Sequence, residues 1–135
     1  MEEALRDLLL TAAPIAATVE RRLDWGVRSQ GSALPAITLH QISGDPTMRL
    51  DGPADWERDR VQIDCLGRTY KAARDLADAI GGRRGLLVGY RGDHKGQRLR
   101  TFVIGKRSDT DSDSVGPVFR ASIDVMVWHT PSTTE

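Results

Sequence analysis

The segment Phe119-Arg-Ala-Ser-Ile-Asp-Val-Met-Val-Trp128, near the C-terminal end of the chain, decides the fold. Its residues alternate with a period of two, which is the period of a β-strand and predicts that one face is buried. The face expected in the core carries Phe119, Ala121, Ile123, Val125 and Val127. The opposite face carries Arg120, Ser122, Asp124, Met126 and Trp128. We therefore expect a sheet to organise the core.

Four further segments have the composition of strands. Arg60–Cys65 alternates in the same way, and Ala36–Ser43 is rich in β-branched residues without an interrupting glycine. Leu86–Tyr90 and Leu99–Gly105 complete the set, as two strands on either side of a polar loop, Arg91–Gln97.

Two longer segments and one short segment predict helices. Pro14 cannot continue the first helix but can open a short second helix that reaches about Glu20. Thr69 is a suitable N-cap for the last helix, and we expect Gly81-Gly82 to end it in the left-handed conformation. The apolar stripe of the first helix is Leu5, Leu8, Leu9 and Ala12. That of the last helix is Tyr70, Ala73, Leu76, Ala77 and Ile80.

Strands on both sides of a central helix indicate the α+β class. We expect an antiparallel-type sheet of about four to five strands with two main helices packed on one face. The 135 residues suit one domain, which we place at residues 1–130, with residues 131–135 as a flexible polar tail.

The charge balance and the single cysteine exclude several classes of function. Lys+Arg and Asp+Glu both number 19, so the chain lacks the basic excess of a dedicated nucleic-acid-binding protein. Cys65 is the only cysteine, which excludes an intrachain disulfide, and we expect its thiol to be buried in a strand. No apolar run is long enough to cross a bilayer, and the acidic start lacks the basic region of a signal peptide.

No arrangement of residues predicts catalysis, a cofactor or a metal ion. The chain has no phosphate-binding loop and no nucleophile elbow, and its three histidines have no metal-ligand spacing. The segment Asp109-Thr-Asp-Ser-Asp113 begins like a calcium loop, but Ser114 stands where that loop needs glycine. We therefore predict a solvated acidic turn, no cofactor and no enzymatic activity.

The segment from Gly44 to Asp59 predicts a long loop between two strands, interrupted by glycine and proline. Loops of this length are uncommon in compact domains and are often functional. This one carries Met48, Leu50 and Trp56, which either fold back on the domain or dock on a neighbouring subunit. A second candidate surface is the basic group, which we interpret as a solvated hairpin or a patch that meets an acidic protein: Arg83, Arg84, Arg91, Lys95, Arg98 and Arg100.

The segments in this order resemble the tail-completion proteins of long-tailed phages, prophages and gene transfer agents. The matching pieces span nearly the whole chain. They are Glu3–Leu10, Leu34-Pro35, Ile42–Gly44, Leu50–Pro53, Arg60–Cys65, Tyr70–Ala77 and Phe119–Trp128. Residues 81–117 depart from the resemblance, with an insert rich in glycine and arginine.

The resemblance implies a structural subunit of the virion, made in the cytoplasm of the host bacterium and located at the head-proximal end of the tail. Such subunits form a ring, here a homohexamer, between the major tail-tube protein and the head–tail connector (stopper) protein. DNA passes through the ring without sequence-specific binding, and no membrane is involved.

Under this hypothesis two sets of residues are candidates for contacts. The subunit or tube interface is assigned to Met48, Leu50, Asp51, Trp56 and Arg58. Loops on the connector side, or facing DNA, are assigned to Arg91, Lys95, Arg98, Asp109, Asp111 and Asp113. Two alternatives stay open: a stopper or adaptor subunit of the connector, and a small nucleic-acid-binding module that uses the basic group.

Overall fold

The structure is a computed structural model that describes residues 2–26, 33–49, 52–94, 96–112 and 116–130. These residues form three helices and one six-stranded sheet. In chain order they are α1 (Glu2–Thr11), α2 (Ala13–Val19), β1 (Leu23–Trp25), β2 (Ala36–Arg49), β3 (Gly52–Gly67), α3 (Tyr70–Gly81), β4 (Arg91–His94), β5 (Gln97–Ser112) and β6 (Pro117–His129).

The strand order in the sheet is β1-β2-β3-β6-β5-β4. Every neighbouring pair from β2 through β3, β6 and β5 to β4 is antiparallel, whereas β1 lies parallel to β2 at the edge. The α+β class is confirmed, but the sheet has six strands instead of four to five. Two of the six were not predicted as strands: β1, which has only three residues, too few for a period to be visible in the sequence, and β4, which was interpreted as a loop.

A single hydrophobic cluster joins the three helices to one face of the sheet, which we call the inner face. It contains Leu5 and Leu9 of α1, Ile15 and Val19 of α2, and Ile80 of α3. Burial of such side chains is the main stabilising contribution to the fold. The strand residues in the cluster include Ile37, Leu39, Val61, Ile63, Cys65, Leu99, Ile123, Val125 and Val127. The faces predicted for Phe119–Trp128 are confirmed, because Ile123, Val125 and Val127 all lie in the cluster.

Helix α3 begins as predicted, but it does not end as predicted. The Thr69 side chain accepts a hydrogen bond from the Ala72 N–H at 3.1 Å and so caps the first turn. Gly82, however, has φ −74°, which lies outside the left-handed region. Its N–H donates to the Asp78 carbonyl, and an added Cβ would lie 2.6 Å from that same oxygen. Close approach of the backbone therefore explains this glycine.

The prediction of a loop from Gly44 to Asp59 is wrong. Strands β2 and β3 pair as far as Arg49 opposite Gly52, so this segment is the outer part of a long β-hairpin. The pairing of β3 with β6 begins only at Glu57 opposite His129. Residues 44–49 and 52–56 therefore form a two-stranded arm, defined by these residues, that extends beyond β6.

The position of the arm explains why its prolines are tolerated. Proline lacks an N–H and is confined to strands with a free edge. Pro46 lies in β2 past the short β1 strand, and Pro53 lies in β3 before its pairing with β6 begins. Among the described strands, each proline therefore has a paired strand on one side only, and no ladder on its other side needs the missing N–H.

Three predictions in the second half of the chain are also wrong. Leu86–Tyr90 is not a strand, because the N–H groups of Leu86 and Leu87 donate to the carbonyls of Ala79 and Ile80 at the end of α3. Those carbonyls have no partner inside the helix, so they compete with the sheet for these donors. The expected polar loop after Tyr90 instead supplies β4.

The acidic segment is the other correction. Asp109–Ser112 belongs to β5 and pairs with Pro117–Arg120 of β6, so it is a strand instead of a turn. Asp113 lies outside the described residues. None of the helices in the described part of the chain is both long and apolar enough to cross a membrane.

Candidate assembly surfaces

The sheet face opposite the helices, here called the outer face, carries most of the charged candidates. Its residues occupy the strand positions between the buried ones, so their faces follow from the register. One row crosses four strands, from Arg58 in β3 to Trp128 in β6, Arg100 in β5 and Arg91 in β4. The Arg58 guanidinium carbon lies 5.3 Å from the centroid of the Trp128 ring, a cation–π contact. The register thus brings together Arg58 and Arg91, which the sequence assigned to different surfaces.

Arg98 extends this basic row along β5. It lies opposite Asp93 of β4, and its backbone N–H donates to the Thr130 hydroxyl at 3.1 Å. The side chains of Arg98 and Arg100 are exposed. Lys95, assigned to the same surface, lies outside the described residues.

The acidic candidates lie at the other end of β5. Asp109 pairs with Arg120, whose guanidinium nitrogens lie 3.9 Å from an Asp109 oxygen and 4.0 Å from an Asp111 oxygen. Both aspartates are exposed, so these ion pairs contribute little stability. From Arg98 to Thr110 the strand rises about 3.3 Å per residue, which places the two charged ends on the order of 40 Å apart.

A network of polar side chains fills the outer face between the two ends. Asp64 accepts hydrogen bonds from the Ser122 hydroxyl at 2.6 Å and the Gln62 amide at 2.8 Å. His40 lies at its other oxygen, with Nε2 at 3.4 Å. Asp64 and Ser122 are both buried. A buried carboxylate with these partners fixes the register of the central strands.

Asp124 is the second carboxylate of this network. Its Oδ2 atom accepts from Arg107 at 2.8 Å and from Arg60 at 3.0 Å. Desolvation alone would raise the pKa of Asp124, but these two hydrogen-bonded cations hold it below its ordinary value. Arg107 also donates to the Gln62 side-chain oxygen at 2.6 Å, which joins the two carboxylate clusters.

This geometry favours a structural role for the polar residues over catalysis. The Asp64 oxygens contact Ser122, Gln62 and His40, and Asp124 Oδ2 accepts from Arg60 and Arg107. The buried Asp124 Oδ1 has no hydrogen-bond partner in the described part of the chain. Within the described ranges, no group of three His, Cys, Asp or Glu residues could hold a metal ion. Cys65 is buried as predicted, and burial together with the charge of Asp64 raises the pKa of its thiol.

The structure describes only part of the interface residues that the sequence assigned to the arm. Met48 lies in β2 and Trp56 lies in β3, but their side chains are outside the described part of the structure. Leu50 and Asp51 lie outside the described residues altogether. The arm and the β4–β5 hairpin lie at the same end of the sheet. The reason is that His129, the last residue of β6, lies opposite Glu57 next to the arm on one side and opposite Leu99 near the start of β5 on the other. We call this the arm end, and the end with Asp109 and Asp111 the acidic end.

Comparison with known proteins identifies the family. A family model described as tail completion protein gp17 matches residues 3–130. The chain belongs to this family. It is accordingly a structural protein of the virion tail, as the resemblance implied, and not an enzyme.

The fold agrees with that of a chain in a solved virion. The structure titled "Virion of native gene transfer agent (GTA) particle" contains a chain with a TM-score of 0.69 and 15% sequence identity to this protein. The match covers 97% of this chain and 95% of that chain. At this identity the likeness establishes a shared fold. A search of curated protein sequences found no match.

Two features of these surfaces were missed from the sequence. The row of Arg58, Trp128, Arg100 and Arg91 depends on the register of four strands, one of which, β4, was interpreted as a loop. The pairing of Asp59 with His129, described below, requires β3 to begin before Asp59. The alternation of Glu57, Asp59 and Val61 was the available signal, since it continues the period of Arg60–Cys65 toward the N-terminus.

Proposed function

We propose that the chain is a tail terminator: a subunit of a hexameric ring that caps the head-proximal end of the tail tube and joins it to the head connector. The observation that carries this proposal is the match of residues 3–130 to the tail completion protein gp17 family. Its partners would be five further copies of itself, the major tail-tube protein below and the stopper protein above.

The size of the domain supports a ring around DNA. A domain of 135 residues has a radius of gyration of about 14 Å, hence a sphere radius of about 18 Å. Six touching spheres leave a central hole with a radius of about 18 Å, which is wider than a B-form duplex. The formal net charge of zero also suits a channel through which DNA passes without being retained.

A terminator needs two ends that differ, since it matches the tube on one side and stops its growth on the other. The sheet offers such a difference. The arm end carries Arg58, Arg91, Arg98 and Arg100, and the acidic end carries Asp109 and Asp111. We propose that the arm end, including the Met48 and Trp56 strands, meets the tail tube and that the acidic end meets the connector.

A deletion of the gene tests this proposal. Without a terminator, the tube surface keeps adding rings, so microscopy should show tubes of irregular, excessive length beside full heads without tails. Tails of normal length together with defective heads would contradict the proposal and would place the protein in the connector, as a stopper or adaptor. A salt-dependent shift of duplex DNA by the purified protein at physiological ionic strength would instead favour the nucleic-acid-binding alternative.

A further inference from the structure

The two sides of the sheet each have a long strand edge that no described strand pairs with. On one side, β1 covers β2 only from Ile37 to Leu39, so the described edge of β2 is unpaired from His40 to Arg49. On the other side, β4 covers β5 only from Gln97 to Arg100, and the edge of β5 from Phe102 to Ser112 is unpaired by the described strands. Unpaired edges are templates for pairing with another chain.

Both edges carry exposed apolar side chains. Ile42 on β2 is 51% exposed, and Phe102 and Ile104 on β5 are each 48% exposed. The two isoleucines are at register shifts, Ile42 between Gln41 and Ser43, and Ile104 between Val103 and Gly105. A β-bulge of this kind redirects a side chain away from its own ladder.

Charged residues follow the bulge on β5, with Lys106 and Arg107 both exposed, but the bulged residues themselves are apolar. Proteins that prevent association at an edge commonly place lysine or another charged residue there. Here the redirected residues are isoleucines, whose exposure has a cost in water that contact with a second apolar surface would remove. The two edges are therefore suited to association.

The strand directions indicate which surface each edge would meet. Strand β2 is antiparallel to β3 and hence parallel to β6, which is itself antiparallel to β5. Strands β2 and β5 of one chain therefore run in opposite directions. A second copy placed beside the first in the same orientation presents its β2 edge antiparallel to the first copy's β5 edge. Such a head-to-tail contact leaves one free edge of each kind, so it repeats, and it generates a ring where the rotation between successive copies closes.

We infer that the subunits associate by the β2 edge of one copy packing against the β5 edge of the next at the level where the two unpaired stretches overlap, with Ile42 against Phe102 and Ile104. The closure of this contact into a ring rests on the proposed function. The β2 and β5 edges would then be the two surfaces of each subunit interface in the ring. The occupant of each edge is a second copy of this chain, because the complementary edge is present on every copy.

Cysteine cross-linking in purified tails tests this contact. A variant with both Ile42→Cys and Ile104→Cys carries one thiol on each edge, and a bifunctional thiol reagent tolerates a register that a direct disulfide does not. We expect a ladder of covalent multimers that ends at the size of the ring. Each single variant should remain monomeric, because a head-to-tail contact never brings two identical edges together. Native Cys65 is buried and should not react.

A matched control is Val88→Cys combined with Ile104→Cys. Val88 is 47% exposed, like the isoleucines, but it lies in the turns after α3 and on neither edge. This control should give no ladder. If the first double variant fails to fold, as judged by its thermal melt, Ser43→Cys with Lys106→Cys places thiols at exposed neighbouring positions on the same edges.

The outcomes separate this inference from the proposed function. A ring seen by microscopy without the ladder would overturn the edge contact and leave the terminator standing. Dimers from Ile42→Cys alone would show a symmetric contact and would also overturn it. A ladder from protein that is absent from the tail's upper end would support the edge contact and contradict the terminator.

Discussion

The imidazole of His129 lies 2.6 Å from the Asp59 carboxylate, measured from Nε2 to Oδ2, and both side chains are almost completely buried. This pair connects the last residue of β6 to β3 beside the arm. Gln41 of β2 donates to the other Asp59 oxygen at 3.1 Å, so three adjacent strands meet at this carboxylate. The arm is therefore anchored to the sheet by a buried polar contact as well as by its backbone ladder.

Separating the two members of this pair should destabilise the domain. Removing one partner of a buried hydrogen-bonded pair leaves the other unsatisfied, at a typical cost of about 1–3 kcal/mol. We expect this loss for Asp59→Asn and for His129→Gln, with a double variant less destabilised than the sum of the two. Denaturant unfolding followed by tryptophan fluorescence measures all three.

The matched control for the pair is Asp75→Asn, which removes the exposed Lys71–Asp75 ion pair of α3. Its effect should be much smaller than that of either buried substitution, because an exposed ion pair is screened by water. Equal losses for Asp59→Asn and Asp75→Asn would contradict a special role for the buried pair.

The sequence predicted the elements whose pattern is local and failed where pairing is set by distant segments. Strand β6 and helix α3 show their periods over ten or more residues, and their buried faces were predicted from those periods. The exception is Tyr70, which was expected on the buried side of α3 and is 52% exposed. The arm was mistaken for a loop because Gly44, Pro46, Gly52 and Pro53 interrupt it. Proline is confined to strands with a free edge and glycine weakens a strand, but the arm has free edges, which only the register reveals.

The candidate surfaces were predictable to a lesser degree, because they depend on register. Asp109 and Arg91 were assigned to one surface, since both lie in polar segments near each other in sequence. The length of β5 separates them, and that length was hidden by the polar character of Asp109–Ser112. An edge strand with one face in water does not need the apolar residues that identify a central strand.

Asp124 should make the stability of the protein depend on acidity. Its pKa is lowered in the folded state from an ordinary value of 3.8, so its contribution is fully present above that value. The contribution is lost as the pH falls through the lower, folded-state pKa. We expect Asp124→Asn to cost about 1.5 kcal/mol at neutral pH, as for a hydrogen bond to a charged group. Urea unfolding at pH 7, 5 and 3 should show this difference unchanged between the first two and smaller at the third. A difference of the same size at all three would contradict the assignment.

Substitution of Gly82 should distinguish close approach from a left-handed cap. The Cβ of an alanine there would lie 2.6 Å from the Asp78 carbonyl oxygen, so we expect Gly82→Ala to cost about 1–3 kcal/mol. Gly82→Asn should be at least as unfavourable, although asparagine tolerates the left-handed conformation better than other residues do. Thermal melts of both variants provide the measurement. Recovery of stability by asparagine would show that the backbone turns left-handed at this position.

Charge reversal at the two ends of the sheet should produce two different assembly defects. With the acidic end at the connector, Asp109→Lys with Asp111→Lys should give tails of normal length that do not join heads. With the arm end at the tube, Arg91→Glu should impair capping and give overlong tubes. Both ends are exposed, so the isolated subunits should melt within a few degrees of the unaltered protein. Microscopy of the particles scores each defect, and the same defect from both variants would contradict the assignment of the ends.

We propose that this protein closes the head-proximal end of the tail as a ring. Cryo-electron microscopy of intact tails, with averaging over the region next to the connector, tests it most directly. We expect one closed ring of six copies of this domain, between the last tube ring and the connector. A single copy, or no copy, at the upper end of the tail would contradict it.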